Sequence, residues 1–383
     1  MKAQVPLFLI MLVLVTGVYR AVSQLPFITS FSQDGVMVCT NLNPNSVASV
    51  AWASSLTGPW QTNLTGSNLI IVGSSGSIQV TVPMTNPEAM YYQVIEITAT
   101  NSIPATTSDG MILIPAGSFT LGDTLDNETD AIPANIYVSA FYMDTNLVSY
   151  GQWQSVYTYG TNNGYGFDDA GAGKAGNHPV QTVNWYDVVK WCNAQSQQAG
   201  LTPVYYTDAE QTQVYTNGDT DAVYPNWMAR GYRLPTEAEW EKAARGGFYG
   251  QRFPWGNTIS ESQANYYADT NDYFYDSGPY DGCNTNFEIG AFPYSSPVGY
   301  FAANGYGLND MAGNVWEWCW DWYGAPYGQP TTNNPTGVAM GSFRIIRGGA
   351  WISPADGAKC AYRGNYPPDS AFDFNGFRCV RRP

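Results

Sequence analysis

The chain has 383 residues, 16 Lys and Arg against 31 Asp and Glu, a formal charge of −15 and only 12% charged side chains. So few bases exclude nucleic-acid binding by phosphate neutralisation, while 44% hydrophobic and 15% aromatic residues can build packed domains. A single histidine excludes metal sites that need two or more imidazoles, among them the zinc proteases, three-histidine zinc and the iron triad of two histidines and a carboxylate. Oxygen-ligand calcium sites and thiolate sites stay open, and the length suggests two domains.

In chain order, Lys2 precedes a run from Val5 to Val18 that is nearly all apolar, about 14 residues, the length of an export-signal core and short for a membrane span. Ala21-Val22-Ser23 has the small-x-small form of a cleavage site. Residues 1–23 therefore read as a signal peptide, with the mature chain starting near Gln24 and localised as secreted or cell-surface; an uncleaved anchor is the alternative. No other stretch approaches 18 apolar residues, so no membrane span is expected after cleavage. Export places Cys39, Cys192, Cys283, Cys319, Cys360 and Cys379 in an oxidising compartment. Six cysteines allow 15 pairings, and spacing selects none. No CxxC pair occurs.

Residues 24–108 carry little charge and no helical period. Short β-type runs recur at 35–39, 50–53, 69–72, 78–82 and 91–95, separated by Asn, Pro and Gly turns. Ile78, Val80 and Val82 alternate with Gln79 and Thr81, so one face is apolar. This spacing predicts a small all-β sandwich, joined by a polar linker over 98–108 to a second domain over 109–383. There Gly, Asn, Asp, Tyr and Trp dominate and three helices are legible. Ser149 with Gln152 caps the first. Asn184 caps a second, with Trp185, Val188, Val189 and Cys192 on one face. Thr236 with Glu239 caps a third, stopped by Gly246-Gly247. Arg233, Glu237 and Glu239 read as buried hydrogen-bonding charges that hold loops. Trp316, Trp318, Trp320 and Trp322 alternate with Glu317, Cys319 and Asp321, which puts four indoles on one face of an extended segment, most simply facing a core. Tyr306 and the many tyrosines beside Asn, Ser and Gly match the composition of recognition and carbohydrate-stacking surfaces.

Seven stretches then occur in a recognisable order: MILIPAGSFTLG at 111–122, HPV with VNW at 178–185, YRLPTEAEW at 232–240, FPWGN at 253–257, NGYGLNDMAGNVWEW at 304–318, RGG at 347–349 and GFRC at 376–379. Together they resemble the formylglycine-generating enzyme, or sulfatase-modifying factor, family. The resemblance implies an α+β fold, irregular and C-type-lectin-like, whose loops bind ligands. The family's oxidases bind copper(I) through two cysteines after the double glycine, because soft thiolates select that ion. Here Ser353 stands at the first position and the second has no match. Ala350 replaces a serine and Phe374 an asparagine. Copper and formylglycine-generating activity are therefore not expected. A nucleophilic Ser353 would need a base, and the one histidine, His178, lies in a structural motif.

What remains intact implies calcium. By the resemblance, Asp310 and Glu317 supply carboxylate oxygens and Gly313 and Val315 carbonyls to one ion, and Asn265, the Tyr266 carbonyl and Asp281 serve a second. Cys192 and Cys379 match a family disulfide, while Ala244 replaces the usual partner of Cys360. Trp316, Trp351, Ser353, Arg363 and Phe374 would line the former active-site cleft, in a region similar to that of variable binding proteins of diversity-generating retroelements. The expected role is a secreted, non-catalytic binding or structural protein, its partner an extracellular glycan or protein, with self-assembly open. The alternative is an oxidoreductase of the same family with rearranged thiols, Cys360 among them.

Overall fold

The computed structural model describes residue 107 and residues 109–383 except 127, 249, 326 and 328–331, together with the strand backbones between residues 27 and 97. Residues 1–23, read as the signal peptide, lie outside the described residues, as does most of the expected linker. The chain divides into two compact units, Met1–Ser102 and Ile103–Pro383.

Six strands make up the described part of the first unit: β1 (Phe27–Phe31), β2 (Val36–Thr40), β3 (Val47–Ala53), β4 (Ile70–Ile71), β5 (Ile78–Thr81) and β6 (Tyr91–Ile97). They form two antiparallel three-stranded sheets, β1-β2-β5 and β4-β3-β6. The alternating run at 78–82 becomes β5 and pairs Ile78 with Cys39 and Val80 with Met37. Only β1 escaped the sequence reading, because Phe27-Ile-Thr-Ser-Phe31 is too polar at its centre to stand out.

The second unit begins with β7 (Met111–Ile114), β8 (Gly117–Leu121), β9 (Ala134–Val138) and β10 (Phe141–Asp144). Next come α1 (Tyr150–Asn162), α2 (Trp185–Gln198), β11 (Tyr205–Tyr206), β12 (Tyr224–Pro225) and α3 (Glu237–Ala244). Two short strands, β13 (Tyr267–Ala268) and β14 (Gly282–Cys283), precede the long β15 (Trp316–Trp322), and β16 (Arg344–Arg347), β17 (Gly364–Tyr366), β18 (Asn375–Gly376) and β19 (Val380–Arg381) close the chain. The helices start where the caps predict. Ser149 accepts a hydrogen bond from Gln152 N, and Asn184 accepts from Asp187 N at 2.8 Å. Thr236 and Glu239 form a reciprocal capping box, and the left-handed Gly246 ends α3.

β15 organises the core. It lies between β16 and β18 in the sheet β17-β16-β15-β18, and all seven of its residues are buried. Trp316, Trp318 and Trp320 enter a cluster with α1 and α2 that includes Trp153, Trp185, Trp191 and Phe377. Trp322 joins this side by packing on Trp185. The expectation that the indoles pack into a core is met. The opposite face is buried too, and it carries charge. Glu317 receives two bonds from Arg378 and one from Trp240 Nε1 at 2.8 Å, and Asp321 accepts from Glu237 N at the start of α3. Around it Arg347 reaches Glu241 at 2.6 Å, Arg363 grips both oxygens of Glu237, and Arg233 grips both of Glu239. The three charges read from the sequence as loop holders do that. Arg344 is a different case. It is buried with no carboxylate in ion-pair geometry among the described residues, donates to Trp320 O at 2.6 Å, and holds its guanidinium 3.6 Å from the ring centre of Trp185 and 3.4 Å from that of Trp322; burial pushes its pKa down to about 9.

Candidate functional site

The segment before β15 turns sharply. Asp310 and Asn314 adopt left-handed backbone, which Asn and Asp tolerate better than most residues. Gly313 does so too, and a Cβ there would overlap the Asn265 carbonyl, so the close approach of these two loops requires glycine. The turn is stitched to its surroundings by its backbone. Gly313 N bonds Gly348 O, Asn314 N bonds Asn265 O, and Asn314 O accepts from Trp351 N at 2.9 Å. It therefore braces both the double glycine and the start of the cleft segment.

The donor atoms named from the sequence sort into three groups. Asp310 Oδ2 accepts from Gly299 N at 2.6 Å, but Oδ1 is buried with no hydrogen-bond partner. Burial pushes this carboxyl up to about 6. Such an oxygen has unmet capacity for a cation, and Gly313 and Val315 lie on the same turn. Asn265 Oδ1 is likewise buried and unpartnered, while its Nδ2 bonds Tyr294 O. Glu317 is less available, because Arg378 and Trp240 already occupy both oxygens. Tyr266 is buried, and its hydroxyl donates to Asp276 Oδ1 at 2.6 Å. Asp281 has to be corrected. The β13–β14 hairpin pairs Tyr267 with Cys283 and Ala268 with Gly282, so Asp281 continues away from Asn265. It is exposed and accepts bonds from Thr270 and Asn271, closing its own loop.

The cleft residues divide similarly. Trp316 N bonds Phe374 O, and the Trp316 ring and Ser353 Cβ both flank Gly357. Trp351 is buried under Phe292, whose ring stacks on it at 5.4 Å, with Tyr294 at 5.5 Å. Phe374 stacks on Phe372 at 5.1 Å, and Tyr366 packs against both. Phe292, Ile352 and Phe372 are exposed. These contacts place a largely aromatic surface along 351–374. Arg363 is the second correction. Its guanidinium faces away from this surface, bonded to Glu237 and to the Asp130 and Gly324 carbonyls, so it belongs to the charged frame. Phe292 and Tyr294 were missed by the sequence reading because they come from a distant loop with no periodic pattern. Tyr306, read as a surface aromatic, is buried in the second core cluster.

Ser353 is buried, its N–H bonded to Ala350 O, and its carbonyl accepts from Tyr267 N. His178 instead contacts Ser295 Oγ through Nδ1 at 3.0 Å, and burial, with Lys174 nearby, lowers its pKa. The Cys192 and Cys379 sulfurs, the pair that the resemblance joins, lie 3.7 Å apart in the core. Burial pushes up the thiol pKa of Cys283, of Cys360 to about 12, and of Cys319 and Cys379 well beyond the usual range.

Residues 97–383 match the model of the sulfatase-modifying factor enzyme 1-like domain. The chain belongs to this family. It is 32% identical over 287 residues to the chaperone protein LppX of Paenibacillus barcinonensis, covering 72% of this chain and 90% of that one. Against the formylglycine-generating enzyme of Thermomonospora curvata it is 31% identical, covering 73% of this chain and 96% of the enzyme. Among solved structures, Treponema denticola variable protein 1 superposes with a TM-score of 0.56 at 29% identity, over 71% of this chain and 95% of that one. Proteins named as an enzyme, a chaperone and a variable protein thus share the domain, so family membership assigns the fold and leaves the activity to the site.

Proposed function

We propose that this sulfatase-modifying factor domain is a secreted, non-catalytic binding module, stabilised by calcium, that presents the aromatic surface along 351–374 to an extracellular glycan or protein. The observation that carries the reading is the chemistry around Ser353. A hydroxyl stands where a soft metal would need sulfur, and Ser353 is buried with its backbone N–H on Ala350 and its Cβ against Gly357. The exposed rings of Phe292 and Phe372 beside a mostly buried aromatic layer suit recognition by stacking and apolar contact.

Calcium enters through Asp310, with the Gly313 and Val315 carbonyls; Asn265 offers a further oxygen. Its contribution would be structural. Neutralising the buried Asp310 carboxylate would hold the turn that in turn holds Gly348 and Trp351. The leader-like residues 1–23 support secretion. A ligand screen against glycans and extracellular proteins tests the reading, run on the wild type and on Phe372→Ala. Binding that is lost in the variant and weakened by a calcium chelator supports it. Conversion of a cysteine-bearing peptide to an aldehyde by the purified protein would replace it with an oxidase.

A further inference from the structure

A second recognition site lies outside this surface and shares none of its residues. A polar cavity of about 480 Å³ is walled by Ser260, Glu261, Ser277, Tyr280, Asn284 and Thr285, with their neighbours. That volume is in the range, about 300–1,000 Å³, of small-molecule sites. Its floor is fixed. Asn284 is buried, donates from Nδ2 to Glu261 O at 2.9 Å and accepts from Asn286 N. Ser277 Oγ donates to Ile259 O at 3.0 Å. Tyr280 stands at the rim with 65% of its surface exposed.

The unusual member is Glu261. Its carboxylate lies directly over Gly278, where any Cβ would overlap it, and its shielded Oε2 has no hydrogen-bond partner. Burial raises its pKa, and the neighbouring Asp276 and Asp281 charges push the same way. Among the lining residues there is no lysine or arginine, so an anion has nothing to pair with and a carboxylate to repel it. A metal ion is poorly served as well: among the described residues no three His, Cys, Asp or Glu side chains converge. What the wall offers is one strong acceptor, several hydroxyls and amides that both donate and accept, and one exposed ring.

We propose that this cavity binds a hexopyranose sugar. Glu261 accepts from sugar hydroxyls, the Thr285 and Asn286 side chains bond further hydroxyls, and Tyr280 covers the apolar face of the ring. The site does not depend on the cleft reading, and either can fail alone.

The full chain, calcium-replete, is titrated with glucose, galactose, mannose and N-acetylglucosamine by calorimetry and saturation-transfer NMR. At least one sugar should bind, and Glu261→Gln, which keeps the shape, should weaken it about tenfold or more. Tyr280→Ala should weaken it as well, and Gly278→Ala should do so by displacing the carboxylate. Phe372→Ala should leave this affinity unchanged, which separates the site from the cleft. The proposal is overturned if none of the four sugars binds the wild type, if binding survives Glu261→Gln at full strength, or if calcium competes with the sugar for Glu261.

Discussion

Two regions meet at Gly348-Gly349, and they are built differently. On one side is a frame of paired charges: Glu317 with Arg378, Glu241 with Arg347, Glu237 with Arg363. On the other is the segment around Ser353, where Phe292 and Tyr294 cover Trp351 and Phe372 stacks on Phe374. Four of these six residues, Glu237, Glu317, Arg347 and Arg378, fall within the family's ordered motifs, and Glu241 and Arg363 lie outside them. The second region holds Ala350, Ser353 and Phe374, the positions at which the resemblance implies a departure from the oxidases. The contrast teaches that in this domain the buried charges are spent on holding loops together, while the segment around Ser353 is covered by rings.

The largest effect should come from the frame. Glu317→Ala leaves the Arg378 guanidinium buried without its carboxylate, and urea unfolding should register a loss of about 3–5 kcal/mol. A value below 1 kcal/mol would mean that the frame is replaceable packing. A second effect is pH dependence. Burial pushes the Asp144 carboxyl to about 7, although Cys379 N donates to it at 2.9 Å, and the Asp321 carboxyl to about 8. Both folded-state values exceed the unfolded value of about 4. The stabilising contribution is therefore fully present below about pH 4 and is lost as pH rises through these folded values. Asp144→Asn should flatten the stability profile between about pH 4 and 7 by a few kcal/mol; an unchanged slope would show that Asp144 ionises normally.

Next comes calcium. With free ion about a hundredfold above its Kd, the gain is about 2.7 kcal/mol, so chelation should lower the melting temperature and Asp310→Asn should reduce that response. A chelator-insensitive melt would remove the ion from the account. The smallest stability effect belongs to the cleft. Phe372→Ala gives up a stacked pair worth about 0.5–1.5 kcal/mol, yet it should abolish ligand binding through that surface. A large destabilisation without loss of binding would invert the comparison.

Much of the frame was legible because caps and alternation are local signals. Ser149, Asn184 and Thr236 announce their helices, and the indole alternation announces β15. Local signals stop at one strand face, so the burial of Glu317, Cys319 and Asp321 on the other side was not readable. The cleft was half legible. Trp316, Trp351, Ser353 and Phe374 could be placed by motif position, but the direction of a side chain could not. Arg363 lies within the cleft segment in sequence and yet turns to Glu237, a buried carboxylate whose other partner, Arg347, reaches only one of its oxygens, at 3.4 Å. Asp281 follows the register of two paired two-residue strands, β13 and β14, that no periodicity reveals. Phe292 reaches Trp351 from a loop nearly sixty residues away, so tertiary packing alone brings them together.

The central claim is that no soft-metal centre remains behind the double glycine. Titration of the fully reduced protein with copper(I), read by competition with a chromophoric chelator, tests it most directly. The account predicts no tight binding, and none gained or lost with Ser353→Ala. Stoichiometric binding that a Cys360→Ser variant abolishes would contradict it.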